Sequence, residues 1–350
     1  MERLSGMGQR IGERWEDFRD DVLAGGVVVR IIGGLLVLLL LLALVMGFYW
    51  SSEPGTYSVR DSVATNSNGR PMLVGVATTT TLIKVTSTLL DKPGGFLSND
   101  VFPPGVWLDN IPNWEYGVLI QSRDLSKAMR EAFSRSQSQS TEDSALARAE
   151  SRFNFDHNSW AVPASESEYR QGVKSLEDYL KRLADEDQHN AQFFALADNL
   201  RYWLSTVETR LGSLSQRLSA SVGQRRLNTD LAGEERATQS TSTPKEVVVK
   251  TPWTEIDDVF YEARGSAWAL LHFLKAVEVD FADVLAKKNA NVSVQQIIRE
   301  LEATQEAVFS PVIMNGDGFG PMANHSLVMA SYISRANAGI IDLRELLSQG

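Results

Sequence analysis

The sequence predicts a mainly α protein, with one N-terminal transmembrane helix and a large multi-helix soluble domain of helical-bundle type. Three observations carry that prediction. An uncharged, nearly pure aliphatic run fills residues 31–50. Apolar residues recur in steps of three and four through most of the remaining chain. Ser165 with Glu168, Thr254 with Asp257 and Ser293 with Gln296 have the spacing of capping boxes ahead of such runs.

Taken in order, residues 1–26 place Ile11, Trp15, Phe18 and Val22 at helical spacing, with Glu13, Glu16, Asp17 and Asp20 between them. This predicts a short amphipathic helix at the cytoplasmic face. It carries few basic residues, so a protein partner or self-association competes with lipid as its target. Residues 27–50 follow as the membrane helix. Twenty uncharged residues at about 1.5 Å each span a hydrocarbon core of roughly 30 Å. Arg30 can snorkel at one end, and Phe48, Tyr49 and Trp50 suit the aromatic belt at the other. A cleavable signal peptide is the competing reading, but the run starts late and is long, and no small-x-small site follows it. Arg3, Arg10, Arg14, Arg19 and Arg30 precede or open the span, whereas Arg60 and Arg70 are the basic residues of the next twenty. The positive-inside bias therefore predicts a cytoplasmic N-terminus and a periplasmic domain.

Residues 51–222 form the first half of the soluble domain. Tyr57–Val63 reads as a possible short strand. The Thr-rich stretch from Thr78 to Leu90 carries Leu82, Val85 and Leu89 at helical spacing, with strand as its alternative. Residues 91–113 are irregular, dense in Gly and Pro, and helix resumes over 114–133. Further helices are expected over 141–153 and from Ser165, with Tyr169, Val173, Leu176, Leu180 and Leu183 on one face. Ala197, Leu200, Leu204, Val207, Leu211, Leu214 and Leu218 then make a heptad seam, either within a bundle or between two copies.

Residues 223–252 hold no aromatic residue over 223–246 and predict a flexible linker. Residues 253–350 complete the domain and are expected to share a core with the first half. A helix over 259–286 is apolar on more than one face and hence central. Another holds Ile297, Ile298 and Leu301, residues 311–321 are a loop, and a last helix runs over 325–347.

Composition narrows the function. The net charge is −10, and residues through Trp50 hold six acidic against five basic side chains, so the soluble part is the acidic one. Such a surface repels phosphate backbones and argues against nucleic acid. Cysteine is absent, which removes disulfides, thiolate metal sites and thiol nucleophiles. His157, His189, His272 and His325 stand in no metal-ligand spacing. His272 reads as a core residue, and His325 with Asn324 as a helix start. The glycines at 316–320 have no preceding strand and match neither a nucleotide nor a calcium loop. No cofactor or metal is expected.

The stretch from Leu90 to Gly117 is the candidate site, since long ordered loops are uncommon and often functional. Asp91, Asp100, Asp109 and Glu115 are its candidate catalytic carboxylates, two of which near apolar rings could form an acid–base pair. Phe96, Trp107 and Trp114 are its candidate binding surface. The structural alternative is that the carboxylates cap helices and the tryptophans plug the core.

Six strings carry a resemblance: LDKPGGFLSND (90–100), PPGVWLDNIPNWEYG (103–117), FSRSQSQSTED (133–143), LGSLSQRLSASVG (211–223), TPWTEIDDVFYEARGSAWALLH (251–272) and ANHSLVMASYISRANAGIIDLR (323–344). The chain resembles an uncharacterised family of gammaproteobacterial single-pass membrane proteins, domain of unknown function 2333. The resemblance implies a Gram-negative host and an inner-membrane anchor, and brings no catalytic residues. The expected function is a structural or protein-interaction module of the cell envelope; the alternative is an envelope hydrolase using the carboxylates of residues 90–117.

Overall fold

In the computed structural model the described residues are 26–67, 73–136, 141–185, 190–227, 246–310 and 312–349. The amphipathic segment through Val22, His189 and the middle of the expected linker lie outside them. Of the described residues 69 % are helical, in agreement with the predicted class.

Helix α1, Val27–Trp50, is followed by α2, Val59–Ser67, and α3, Val76–Asp91. The expected strand at 57–63 is not formed. Among the described residues no strand pairs with it, and Ser58 Oγ instead accepts the Asp61 N–H and starts α2. The Thr-rich stretch is helical because its hydroxyls bond the preceding turn: Thr79 to Gly75 O, Thr86 to Leu82 O and Thr88 to Lys84 O. That satisfies these three hydroxyls, while those of Thr80 and Thr81 are buried without a partner, and Leu82, Val85 and Leu89 are fully buried.

Helix α4, Asn110–Ala128, begins at Asp109, whose carboxylate accepts the Asn110 N–H, and passes into a π turn, Met129–Phe133. Helix α5, Ser144–Phe153, is capped by Asp143 through the Ala145 and Leu146 amides. Helix α6 covers Ser165–Leu183 and α7 covers Ala197–Ser219. The seam of α7 from Leu200 to Leu218 is buried within the chain, with Trp203 added to it. It closes on the last helix, α11, His325–Ser348, where an Arg344–Glu208 ion pair crosses the contact.

Two strands, β1 (Gln224–Leu227) and β2 (Glu246–Val249), pair antiparallel with Gln224 opposite Val249. The segment expected as a linker over 223–252 is thus corrected at both ends, which form an exposed ribbon. Helix α8, Ile256–Asp280, is buried on nearly every face and is the centre of the domain. The helix expected to run through 286 breaks at Phe281 into α9, Ala282–Lys287, and α10 follows over Asn291–Ala303. One apolar core extends from Leu82 to Leu347 and draws on both sides of the ribbon.

The three expected capping boxes are not made. Ser165 donates its hydroxyl to Asp156 O and Ser159 O, and Glu168 pairs with Arg152. Helix α8 starts at Ile256 behind a 3-10 turn, and Ser293 falls inside α10. Helix α3 is capped from far away instead. Asp280, at the end of α8, accepts the Gly75 N–H (2.9 Å) and the Thr78 N–H (2.6 Å). Burial pushes its carboxyl up, and these amides at a helix N-terminus oppose that rise.

Candidate functional site

A chain of buried polar contacts lies at the junction where α1 enters the domain. Helix α1 ends as Ser51 Oγ donates to Gly47 O. Trp50 then packs over Gly94, where a methyl group would meet the indole at 2.8 Å; with φ at +85° only glycine suits this turn.

Beyond Trp50 the chain runs as a strap along α8. Glu53 accepts from Arg264 Nε at 2.6 Å. The Gly55 carbonyl accepts from Trp268 Nε1 at 3.2 Å. The Tyr57 N–H donates to His272 Nε2 at 3.1 Å. Alternate residues of an extended chain advance about 6.6 Å, and four residues of helix about 6 Å. Residues 53, 55 and 57 therefore keep step with 264, 268 and 272. Pro54 suits such a segment because it has no N–H to satisfy.

The two outer contacts are reinforced. Arg264 also donates to the carbonyls of Thr304, Gln305 and Glu306, which fixes the loop after α10. His272 is fully buried and stacked on Tyr57 with ring centres 4.0 Å apart, and Lys84 sits over the other ring at 3.8 Å. Burial pushes His272 down to about 4. With Nε2 accepting, Nδ1 carries the hydrogen toward Trp268 O, so the imidazole is neutral and structural. That agrees with its reading as a core residue. The sequence signals were the spacing of Arg264, Trp268 and His272 on one stripe and an acid and an aromatic two steps either side of Gly55.

Of the predicted carboxylates, Asp91, Asp109 and Glu115 have direct partners. Asp91 is exposed and pairs with Arg170 at 2.8 Å. Asp109 starts α4. Glu115 is fully buried against Lys92, and its oxygens accept from the Leu97 and Ser98 amides and the Ser98 hydroxyl at 2.6–3.0 Å. Burial pushes its carboxyl up, while Lys92 and Ser98 draw it down. Asp100 is half-buried and raised by burial and by Glu166, against Lys92. Asp91, Asp109 and Glu115 thus hold turns and helix ends together. The candidate binding surface needs correction as well. Phe96 and Trp114 are core residues, packed edge-on to Tyr169 at 5.5 Å and against Trp268 at 5.2 Å. Trp107 is exposed.

His157 is half-buried beside Tyr116, and His325 Nδ1 accepts the Met314 N–H, holding the loop before α11. Asn324 caps α11 through Leu327 N–H. Among the described residues no three His, Asp or Glu side chains gather as a metal would require.

Acidic residues crowd the start of α8, where Asn113 Nδ2 donates to Asp258 at 2.7 Å. Burial, then Asp257, Asp109, Glu255 and Glu262, push Asp258 up to about 6. The folded chain therefore binds this proton more tightly than the unfolded one, where a carboxylate titrates near 4. Its ionised form opposes folding above about pH 6, and that opposition fades as pH falls from about 6 to about 4. Asp258 is still partly exposed, so screening holds the effect to about 1 kcal/mol or less. Asp258→Asn should raise the melting temperature by on the order of 2 °C at about pH 7.5, with the gain gone near pH 4. Paired melts across that range check it.

A family model described as an uncharacterised protein conserved in bacteria, DUF2333, matches residues 23–350. The chain belongs to this family, as the resemblance of its long strings implied. No curated protein and no solved structure matches it.

Proposed function

We propose that this member of the family is a bitopic inner-membrane protein whose helical domain lies in the periplasm and works as a structural or protein-interaction module of the envelope. The observation that carries the reading is Val29–Trp50, with mean hydropathy 3.0 and 6 % of its most apolar stretch buried. A core helix of a soluble domain would hide such a surface. This one leaves its leucines outward, where hydrocarbon is the solvent that suits them. The strap joins the helix to the domain core without a slack tether, which fits a module that must hold its orientation. The arginine distribution around the span supports the periplasmic side. Phe309 and Phe319, both exposed on the loops before α11, are where a protein partner is best sought.

The test uses the absence of cysteine. Val292→Cys places one thiol at an exposed site of α10. An impermeant maleimide should label it in intact spheroplasts; labelling only after lysis overturns the orientation. A photo-crosslinking residue at Phe309 or Phe319 should give a reproducible protein adduct in living cells. No adduct from either position would count against the interaction module.

A further inference from the structure

We infer that the loop over 101–107, with the neighbouring turn over 160–162, is a lipid-contact surface seated in the interfacial layer of the same bilayer that α1 crosses. The inference rests on the reading of α1 as a membrane span, and holds for either orientation of the domain.

Depth is the first argument. A methyl group placed on Gly47 would lie 3.4 Å from Pro104 Cβ and 3.8 Å from Leu108 Cδ2. Gly47 is three residues back from Trp50, about 4.5 Å down the helix axis. The loop therefore touches α1 at the level of its aromatic end, with Phe48 and Tyr49 exposed beside it. A domain loop held at that depth meets headgroups and the upper acyl chains.

Chemistry is the second. Val101–Leu108 (VFPPGVWL) and Ser159–Ala164 (SWAVPA) contain no ionisable side chain in a domain that is otherwise acidic. Phe102, Val106, Trp107 and Trp160 are each at least half exposed. Phe102 and Trp160 meet edge to face at 5.7 Å, so the two segments form one surface. Val162 is 98 % exposed at φ +51°, a conformation rare for a β-branched residue. Single exposed apolar side chains are ordinary, whereas a group of them with two tryptophans beside an apolar helix is not. Trp and Phe are the residues that partition to the headgroup level. Asp100 and Asp109 bracket the first segment, and burial of either would be costly, so they limit how far it sinks.

The test is depth-dependent quenching on the full chain in vesicles of phosphatidylethanolamine and phosphatidylglycerol. One environment-sensitive fluorophore is attached in turn to Phe102→Cys, Val162→Cys, Val292→Cys and Leu38→Cys. Lipids with a nitroxide near the headgroup should quench the first two at least about twofold more than the Val292→Cys label, as interfacial burial of roughly 5–10 Å requires. Aqueous iodide should show the reverse order. If the Leu38→Cys label is unquenched by any lipid nitroxide, the membrane reading of α1 itself fails. If it is quenched while the Phe102→Cys and Val162→Cys labels behave as the Val292→Cys label does, the lipid-contact inference is overturned and the anchor stands. Shielding from iodide without lipid quenching assigns the surface to a protein and also overturns it. Should Phe102→Cys fail to fold, Val162→Cys decides alone, since its side chain is almost entirely outside the packing.

Discussion

Gly265→Ala should lower the stability of the domain by roughly 3 kcal/mol or more, the upper range for overpacking a core. Helices α4 and α8 cross at two glycines. A methyl group on Gly265 would sit 2.0 Å from Trp114 O and 2.8 Å from Trp114 C. One on Gly117 would sit 2.1 Å from Glu262 O and 2.7 Å from Ser266 N. The obstacles are backbone atoms of two fully packed helices, so no rotamer change makes room. The helices would have to part, which strips Trp114 and Trp268 of each other's contact and breaks the bond from Ser266 Oγ to Gly117 O. Gly212→Ala is the control. It lies within α7, and its added methyl meets Asn337 Nδ2 at an ordinary 3.6 Å. That variant should gain up to about 1 kcal/mol from helix propensity. Thermal melts in one detergent would check both, and a Gly265→Ala chain melting like wild type would mean the close crossing is absent.

What the sequence made legible was whatever repeats locally. The seam from Leu200 to Leu218 and the apolar mass of residues 259–277 are written in steps of three and four, and each became a buried helix. Asn324 and Asp109 do cap helices, but the three Ser/Thr boxes fail because a Ser or Thr three residues ahead of an acid or amide has other uses. Ser165 is spent on the turn at 156–159, while the cap of α3 comes from Asp280, more than two hundred residues on. The spacing of each partner of a long-range pair does not say which distant segment it meets. The strap contacts join residues 211 to 215 positions apart, and each residue in them has an unremarkable local reading. The candidate loop was legible as an ordered irregular segment, but not which of its aromatic rings face inward. Phe96 and Trp114 are core, whereas Trp107, in the same 28-residue stretch, is exposed.

Glu115 is the clearest case of a residue whose chemistry reverses on folding, and it yields the second large effect. Glu115→Gln should destabilise the domain by roughly 3–5 kcal/mol, the cost of leaving one member of a buried ion pair unpaired. Lys92 and Glu115 are both essentially without solvent contact. A glutamine can still accept from the Leu97 and Ser98 amides, but its NH2 or neutral oxygen then faces a buried ammonium group. Lys92→Met should cost less. The carboxylate keeps the two amides and the Ser98 hydroxyl, and burial already pushes it toward the protonated form. Without Lys92 the Glu115 carboxyl rises further, so the deficit of Lys92→Met should shrink as pH is lowered, while that of Glu115→Gln should not. Equal losses with one pH dependence would show that the pair is not the neutralising unit described. An isosteric change at Glu115 therefore reports on folding, and loss of a cellular role in that variant could not be taken as loss of a catalytic acid.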